Sequence, residues 1–299
     1  MKKSDRPSAV IWYIASRPCL KENLELLYKN FNNKYGYPVL VFTFGKQYSK
    51  GYIKNIYKTI DSTIKFVEIE WPKIPPHIKE EELFYHRKEI PYVKKKFPKS
   101  RIGFLHTNQF VAGKVMEHPE MKKYDIALKM DDDTFLIKEI DFDLLKFVRD
   151  NNYRFCPFAA KKYDYESIRQ CEIGLRELLK KYIKENNIKP KSNSLDEDGN
   201  WDSIGPYDPT VWDLSIFRNQ NWKKWWNCVN QSGGIYKYRW GDQEIHILYL
   251  RMYYSDSAWY NFDFYNKGKC KHGGYGMVHH GSKIQRILEF SKRVIKSYS

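Results

Sequence analysis

Apolar positions along the chain switch repeatedly between the spacing of a strand and that of a helix. Ala9-Val-Ile-Trp-Tyr-Ile14 is a run of strand length that stops at Ala15-Ser-Arg17-Pro18. Leu24, Leu27, Tyr28 and Phe31 then recur at i, i+3, i+4 and i+7, the stripe of an amphipathic helix. Tyr37-Pro-Val-Leu-Val-Phe42 is apolar again. A helix between two apolar strands predicts a β-α-β unit, and with it a parallel sheet and a right-handed crossover. The pattern continues with a helix over 51–60 and a strand over Ile64–Ile69. Trp71-Pro-Lys-Ile-Pro-Pro76 must be extended, because proline restricts both itself and its predecessor. The Lys/Glu-rich stretch that follows, to Pro98, reads as a surface excursion, and Asn108–Glu117 as a helix ended by Pro119.

Asp125-Ile-Ala-Leu-Lys-Met130 alternates like a strand with a buried face and runs into Asp131-Asp132-Asp133-Thr134. In open α/β sheets ligands gather beyond the carboxyl ends of strands. Carboxylates at i and i+2 of an extended end face the same way, so Asp131 and Asp133 are candidate ligands for a hard cation, Mn²⁺ or Mg²⁺, that would in turn hold a diphosphate. A solvated acidic turn is the competing reading of these three residues. Arg17, at the end of the first strand, is either a contact to a nucleotide or an ordinary surface arginine.

Further on, Ile140 to Val148 reads as a short strand or loop and then a helix, and Tyr153–Phe158 as a strand. Ile168, Cys171, Leu175, Leu178, Leu179 and Tyr182 mark a long helix with Asp164 as its N-cap. Residues 189–203, rich in Lys, Asn, Ser, Asp and Gly, read as a plain solvent-exposed connection, with a mobile loop closing over a substrate as the competing reading. Trp222, Trp225, Trp226 and Val229 give another helical stripe, ended by Ser232-Gly233-Gly234. Ile235-Tyr-Lys-Tyr-Arg-Trp-Gly-Asp242 reads as a strand ending in a second acidic position, with a helix from Gln243 to Leu250 behind it. The tail holds His279-His280 between glycines. Imidazole suits Mn²⁺-like ions, so either histidine is a candidate third metal ligand; an ordinary surface pair is the alternative.

Composition narrows the field. The 299 residues include 24 Tyr and 9 Trp, with 42% hydrophobic residues, which is a globular composition with many amphipathic rings suited to sugars. Trp212, Trp240 and Tyr236 are candidates to stack on a sugar, with core packing as the competing role. The net charge of +16 raises nucleic acid as a partner, but no zinc-ligand spacing or RNA-binding aromatic motif accompanies it. A nucleotide diphosphate or an anionic membrane surface fits the same field. Five scattered cysteines without a C-x-x-C imply free thiols in a reducing compartment. No apolar run is long enough to span a membrane, and the N-terminus has no signal-like segment. The expectation is a soluble, cytoplasmic protein, with peripheral membrane contact open and no oligomeric state specified.

Several segments resemble, in order, glycosyltransferase family 15, the fungal α-1,2-mannosyltransferases of cell-wall and glycoprotein mannans. The most specific is Gly233-Gly234 followed by Arg239-Trp240-Gly241-Asp242 and His246, which resembles the family block Gly-Gly-Phe-Tyr-Tyr-Glu-Arg-Trp-Gly-Asp-Ala-Pro-Val-His. The run through Asp131-Asp132-Asp133 resembles the strand of the family's Glu-Pro-Asp metal motif, and His106, Phe110 and Gly113 fit its His-x-x-x-Phe-x-x-Gly element. A divergent member without the membrane anchor, such as one carried by a large DNA virus, fits the pattern.

The resemblance implies an α/β, GT-A fold: a mainly parallel central sheet flanked by helices, with a Rossmann-like nucleotide-binding half. It implies one catalytic domain over 1–299, with nucleotide-sugar and metal held by about 8–143 and acceptor and catalysis by about 144–299. By position, Asp131 and Asp133 take the metal, with His279 or His280. Asp242, Tyr238 and Arg239 fall in the catalytic block. Arg17, His106, Asp132 and Lys283 join the three aromatic residues on the substrate side. The implied reaction is metal-dependent transfer of a sugar from a nucleotide-sugar to a hydroxyl of a glycan. GDP-mannose is the family's donor, and UDP-xylose or UDP-glucose is the alternative suggested by Asp-x-Asp in place of Glu-Pro-Asp. Tyr238 stands where the family has a glutamate. That substitution keeps open an inert sugar- or nucleotide-binding relative, and the charge keeps open, last, a nucleic-acid binder.

Overall fold

The structure, a computed structural model, describes residues 6–90, 102–162, 172–201 and 204–272. β1 (Ala9–Ile14) is buried along five of its six positions, and β2 (Val39–Phe44) along all six. Strands so uniformly apolar are covered on both faces, as in parallel sheets. β1 pairs in parallel with β2 from Ile11↔Val39 to Ile14↔Phe42, and β2 with β3 (Lys65–Ile69) from Leu40↔Lys65 to Phe44↔Ile69. The crossovers are the expected helices. Leu20–Leu27 continues through a π-helical turn and ends at Gly36, whose φ of 61° suits a residue without Cβ. Lys50–Thr59 is capped by Ser49, whose Oγ accepts the Tyr52 N–H.

β4 (Ile126–Asp131) is the predicted acidic strand. It pairs antiparallel with β7 (Ile204–Asp213), and β7 antiparallel with β6 (Phe155–Lys162). The strand order is β3-β2-β1-β4-β7-β6, so a parallel β-α-β side gives way to an antiparallel side. β7 was not expected from the sequence. A short ladder joins β5 (Thr134–Leu136) to β8 (Cys270–His272).

Contacts divide the chain into two units. One comprises Met1–Val10, Glu70–Lys129 and Leu144–Asp263; the other comprises Ile11–Ile69, Met130–Asp143 and Phe264–Ser299. In the first, the Ser8 carbonyl accepts the N–H groups of Asp125 and Ile126 at 2.7 and 3.1 Å. Its core is aromatic, with Phe155, Trp212, Phe217, Trp222 and His246 in contact. In the second, β1, β2 and β3 pack with their crossover helices and with the acidic turn that follows β4.

Two expectations need correction here. Ile235–Asp242 is not a strand: Gly234–Tyr238 is helical, Arg239 adopts φ 65°, and a new helix, Asp242–Tyr253, follows. Gly233, at φ 72°, ends the Gln220–Ser232 helix and at once starts the next turn, its carbonyl accepting the N–H groups of Tyr236 and Lys237 at 3.0 Å each. The alternation of Tyr236, Tyr238 and Trp240 therefore runs across the end of a short helix and the left-handed Arg239 instead of along one strand. The segment after Trp71 is also more than a surface excursion. Ile78, Leu83, Phe84 and Ile90 are buried with Leu105 and Tyr236 around two 3₁₀ turns.

The long helix is described over Leu175–Glu185, with Asp164, Ile168 and Cys171 outside the described residues. Cys19, Cys156, Cys228 and Cys270 are free thiols. Among the described residues, no helix is long and apolar enough to cross a membrane.

Candidate active site

The acidic turn divides its three carboxylates by role. Asp132 is buried, at 1% exposure; its Oδ2 accepts the backbone N–H groups of Ser16 and Arg17 at 2.7 Å each, and its Oδ1 pairs with the Arg17 guanidinium. Cys19 Sγ donates to the Asp132 carbonyl at 3.1 Å. Asn23 donates to the carbonyls of Asp131 and Thr134 at 3.1 and 2.6 Å and accepts from Tyr13. The middle aspartate thus anchors the turn to the loop after β1, and cannot itself touch a ligand.

Burial drives the Asp132 carboxyl upward in pKa, and the guanidinium and the two N–H groups draw it back. Burial works against the charge of Arg17, but Asp132 and Asp133 outweigh it and its pKa is raised. The Cys19 thiol is pushed up to about 12 by burial and then by Asp132, which keeps it neutral. The flanking Asp131 and Asp133 remain half-buried, and the half-exposed Arg17 lies 3.2 Å from Asp133.

Two hard oxygen donors at period-two spacing fit a Mn²⁺- or Mg²⁺-type ion. Among the described residues no group of three His, Cys, Asp or Glu forms a metal site. His279, His280 and Lys283 lie outside the described residues. The sequence reading missed Tyr48 and Tyr52, whose rings stack at 4.9 Å and whose hydroxyls donate to the Arg17 and Pro18 carbonyls at 2.8 and 3.3 Å. Their only signal was a pair of tyrosines four residues apart, too common a spacing to single out.

A second group of charges belongs to the other unit. Lys129 of β4 and Asp208 of β7 are each 4% exposed, and their side chains pair directly. Lys129 Nζ also lies 3.3 Å from Asp242 Oδ2, at the start of its helix. Asp208 further accepts from Gln243 Nε2 at 2.5 Å and from Thr210 Oγ1 at 2.9 Å. A buried ion pair recovers its desolvation cost only when its remaining lone pairs are satisfied, and Asp208 meets that condition. It is therefore a fixed anchor, whereas the Asp242 side chain keeps 15% exposure. Glu244, in the same first turn, has its carboxyl pKa raised chiefly by burial, with Asp242 and Asp208 adding to it and Arg239 opposing.

The remaining predicted residues are mostly packing residues, and the sugar-stacking role does not survive. Trp212 and Trp240 are 2% exposed and Tyr236 is 1%, so none offers a ring face to a ligand. Trp240 Nε1 donates to the Ile173 carbonyl at 2.8 Å, and Asn108 donates to the Trp240 carbonyl at 3.1 Å. A Cβ on Gly234 would sit 2.3 Å from the Trp240 ring, and one on Gly113 would sit 2.0 Å from Trp226. These glycines are needed for close approach. His106, expected at the donor, is a buried partner of the Tyr236 hydroxyl at 3.0 Å, its pKa lowered by burial. Arg239 lies over the Phe104 ring at 4.0 Å. Tyr238 stacks on Trp240 and carries Arg87 over its own ring at 4.5 Å.

A profile of the family described as glycolipid 2-alpha-mannosyltransferase matches residues 1–267. The chain belongs to that family. The probable mannosyltransferase KTR3 of Saccharomyces cerevisiae is 25% identical over 248 residues, covering 78% of this chain and 58% of its own length. The alpha-1,2 mannosyltransferase KTR1 of the same yeast is 24% identical over 252 residues, covering 81% and 63%. The chain thus spans about three fifths of these relatives. Among solved structures, core-mannan synthase A of Aspergillus fumigatus in its Mn/GDP form superposes with a TM-score of 0.76 at 17% identity, over 97% of this chain and 86% of that one. Ktr4p of S. cerevisiae in complex with GDP gives 0.72 at 17% identity, over 87% and 70%. These likenesses establish the GT-A glycosyltransferase fold.

Proposed function

We propose that this family member transfers a mannosyl group from GDP-mannose to a hydroxyl of a glycan acceptor, with a divalent cation of the Mn²⁺ type. The observation that carries the reading is the division of labour in the acidic turn. Asp132 is buried and holds the turn, and the half-buried Asp131 and Asp133 on either side of it are the carboxylates that would hold the cation. A bound ion at such a pair supplies Lewis-acid neutralisation of a leaving diphosphate. Arg17, fixed by Asp132 and half-exposed, adds a cation beside the same carboxylates. Asp242 faces the acceptor as general base, with Lys129 holding it in place. Tyr238 puts no carboxylate at the family's glutamate position, where one would attack or steady the sugar, so this reading does not choose between retention and inversion.

Tyr238 also favours a second reading, in which the chain binds the donor without turnover. One experiment separates the two. Calorimetric titration with GDP-mannose, UDP-xylose and UDP-glucose, each with and without Mn²⁺, is run on the wild type and on Asp133→Ala, followed by a transfer assay. We expect metal-dependent binding of GDP-mannose that disappears in Asp133→Ala, and transfer to a mannoside. Metal-dependent binding without transfer to any mannoside would select the inert relative. No metal-dependent binding of any donor would remove the cation assignment.

A further inference from the structure

Outside both charge clusters, the unit that carries Asp242 contains a cavity of about 240 Å³. Pro157, Ser194, Arg251, Asp256, Trp259 and Asn261 are in its lining. One wall is aromatic: Trp259 is half-buried and braced edge-on against Phe155, with ring centroids 4.9 Å apart and planes at 81°. Its indole Nε1 is buried and has no partner among the described residues. The polar wall is built in advance. Asp256 accepts from Ser192 Oγ at 2.5 Å and from the Asn193 N–H at 3.0 Å, and the Arg251 carbonyl accepts the N–H groups of Lys191 and Ser192 at 3.1 Å each. The chain around Ser194 is thereby pinned at the rim. Asn261 is exposed; its Oδ1 accepts the Asp263 N–H at 3.1 Å, and its amide nitrogen brings two donors.

These features define the ligand chemistry. Arg251 and Asp256 carry opposite charges, so the cavity favours a neutral ligand. A flat indole and a proline ring beside hydroxyl, amide, carboxylate and guanidinium groups suit a molecule with an apolar face and a rim of hydroxyls, which is a pyranose. Asp242 opens the helix that holds Arg251 nine residues and about two and a half turns later, so their backbones lie roughly 13 Å apart along the axis and on opposite sides of it. That separation exceeds the span of a single sugar ring.

We propose that this cavity is a subsite for a hexose of the acceptor glycan remote from the residue being extended. The proposal rests on the transfer reading above and adds a preference for longer acceptors.

The test compares Trp259→Ala and Asn261→Ala with the wild type, using methyl mannoside and a mannotetraose as acceptors; the second variant guards against misfolding of the first. We expect kcat/KM for the tetraose to fall roughly tenfold, the factor carried by about 1.4 kcal/mol, mainly through KM. Activity on the methyl mannoside should be unchanged. Saturation-transfer NMR with the tetraose, without donor or metal, should show contacts that Trp259→Ala removes. If the variants treat both acceptors as the wild type does and the NMR contacts persist, the subsite is overturned while the transfer reading stands. If no acceptor is glycosylated but Trp259-dependent contacts are seen, the cavity still binds sugar and the transfer reading is what fails.

Discussion

His246 is held neutral by its surroundings. Its ring packs against Trp212, Phe217 and Trp222, and Nε2 lies 2.9 Å from the Ala112 carbonyl, so the neutral ring carries its proton on Nε2 and donates it. Burial lowers its pKa to about 4. A folded-state pKa below the ordinary 6.5 means that the unfolded chain binds the proton first on acidification. The stability this group contributes is complete above pH 6.5 and drains away as pH falls towards 4, by about 3 kcal/mol. Urea unfolding of the wild type and of His246→Gln should therefore show a stability difference at pH 7 that shrinks at pH 4.5. An equal difference at both pH values would mean that the imidazole is not held neutral by its site. The family resemblance placed His246 in a motif beside Asp242, and spacing alone could not say that it is a packing residue; the three rings that bury it come from β7, the turn after it and the Gln220–Ser232 helix.

Among the elements, β7 is the one whose absence from the sequence reading mattered most. Gly205-Pro206 and Asp208-Pro209 look like loop punctuation, since proline removes a ladder donor. Yet the strand forms, and it carries Asp208 into the first unit beside Lys129. The buried runs of β1, β2 and β4 were legible because their apolar residues are consecutive or alternate. Which lysine or aspartate would be buried was not legible, because that depends on which strand lies alongside. Lys129→Met takes the Lys129 charge away from buried Asp208 while its hydrogen bonds to Gln243 and Thr210 remain. Losing one partner of a buried pair costs about 3–5 kcal/mol, while replacing both by apolar groups costs far less. Denaturant titration should find Lys129→Met severely destabilised and Lys129→Met with Asp208→Leu largely restored. A single variant as stable as the wild type would show that Asp208 does not depend on Lys129.

Over the whole molecule the net charge is +16 with a pI near 9.3, so polyanions will bind whatever the chemistry of the site. Such binding comes from counterion release: its affinity falls linearly in log units with log salt, and it involves no particular carboxylate. Occupation of the acidic turn as proposed would have the opposite signature, because there a diphosphate would be held through a cation on Asp131 and Asp133. Two kinds of anion binding should therefore separate in one preparation. Retention on a DNA or heparin matrix should collapse with rising salt, ignore Mn²⁺ and survive Asp133→Ala. GDP binding should require Mn²⁺, tolerate the same salt far better and vanish in Asp133→Ala. Polyanion retention that needs Mn²⁺ and is lost in Asp133→Ala would place nucleic acid at the acidic turn, and the charge would then be part of the function instead of a background to it.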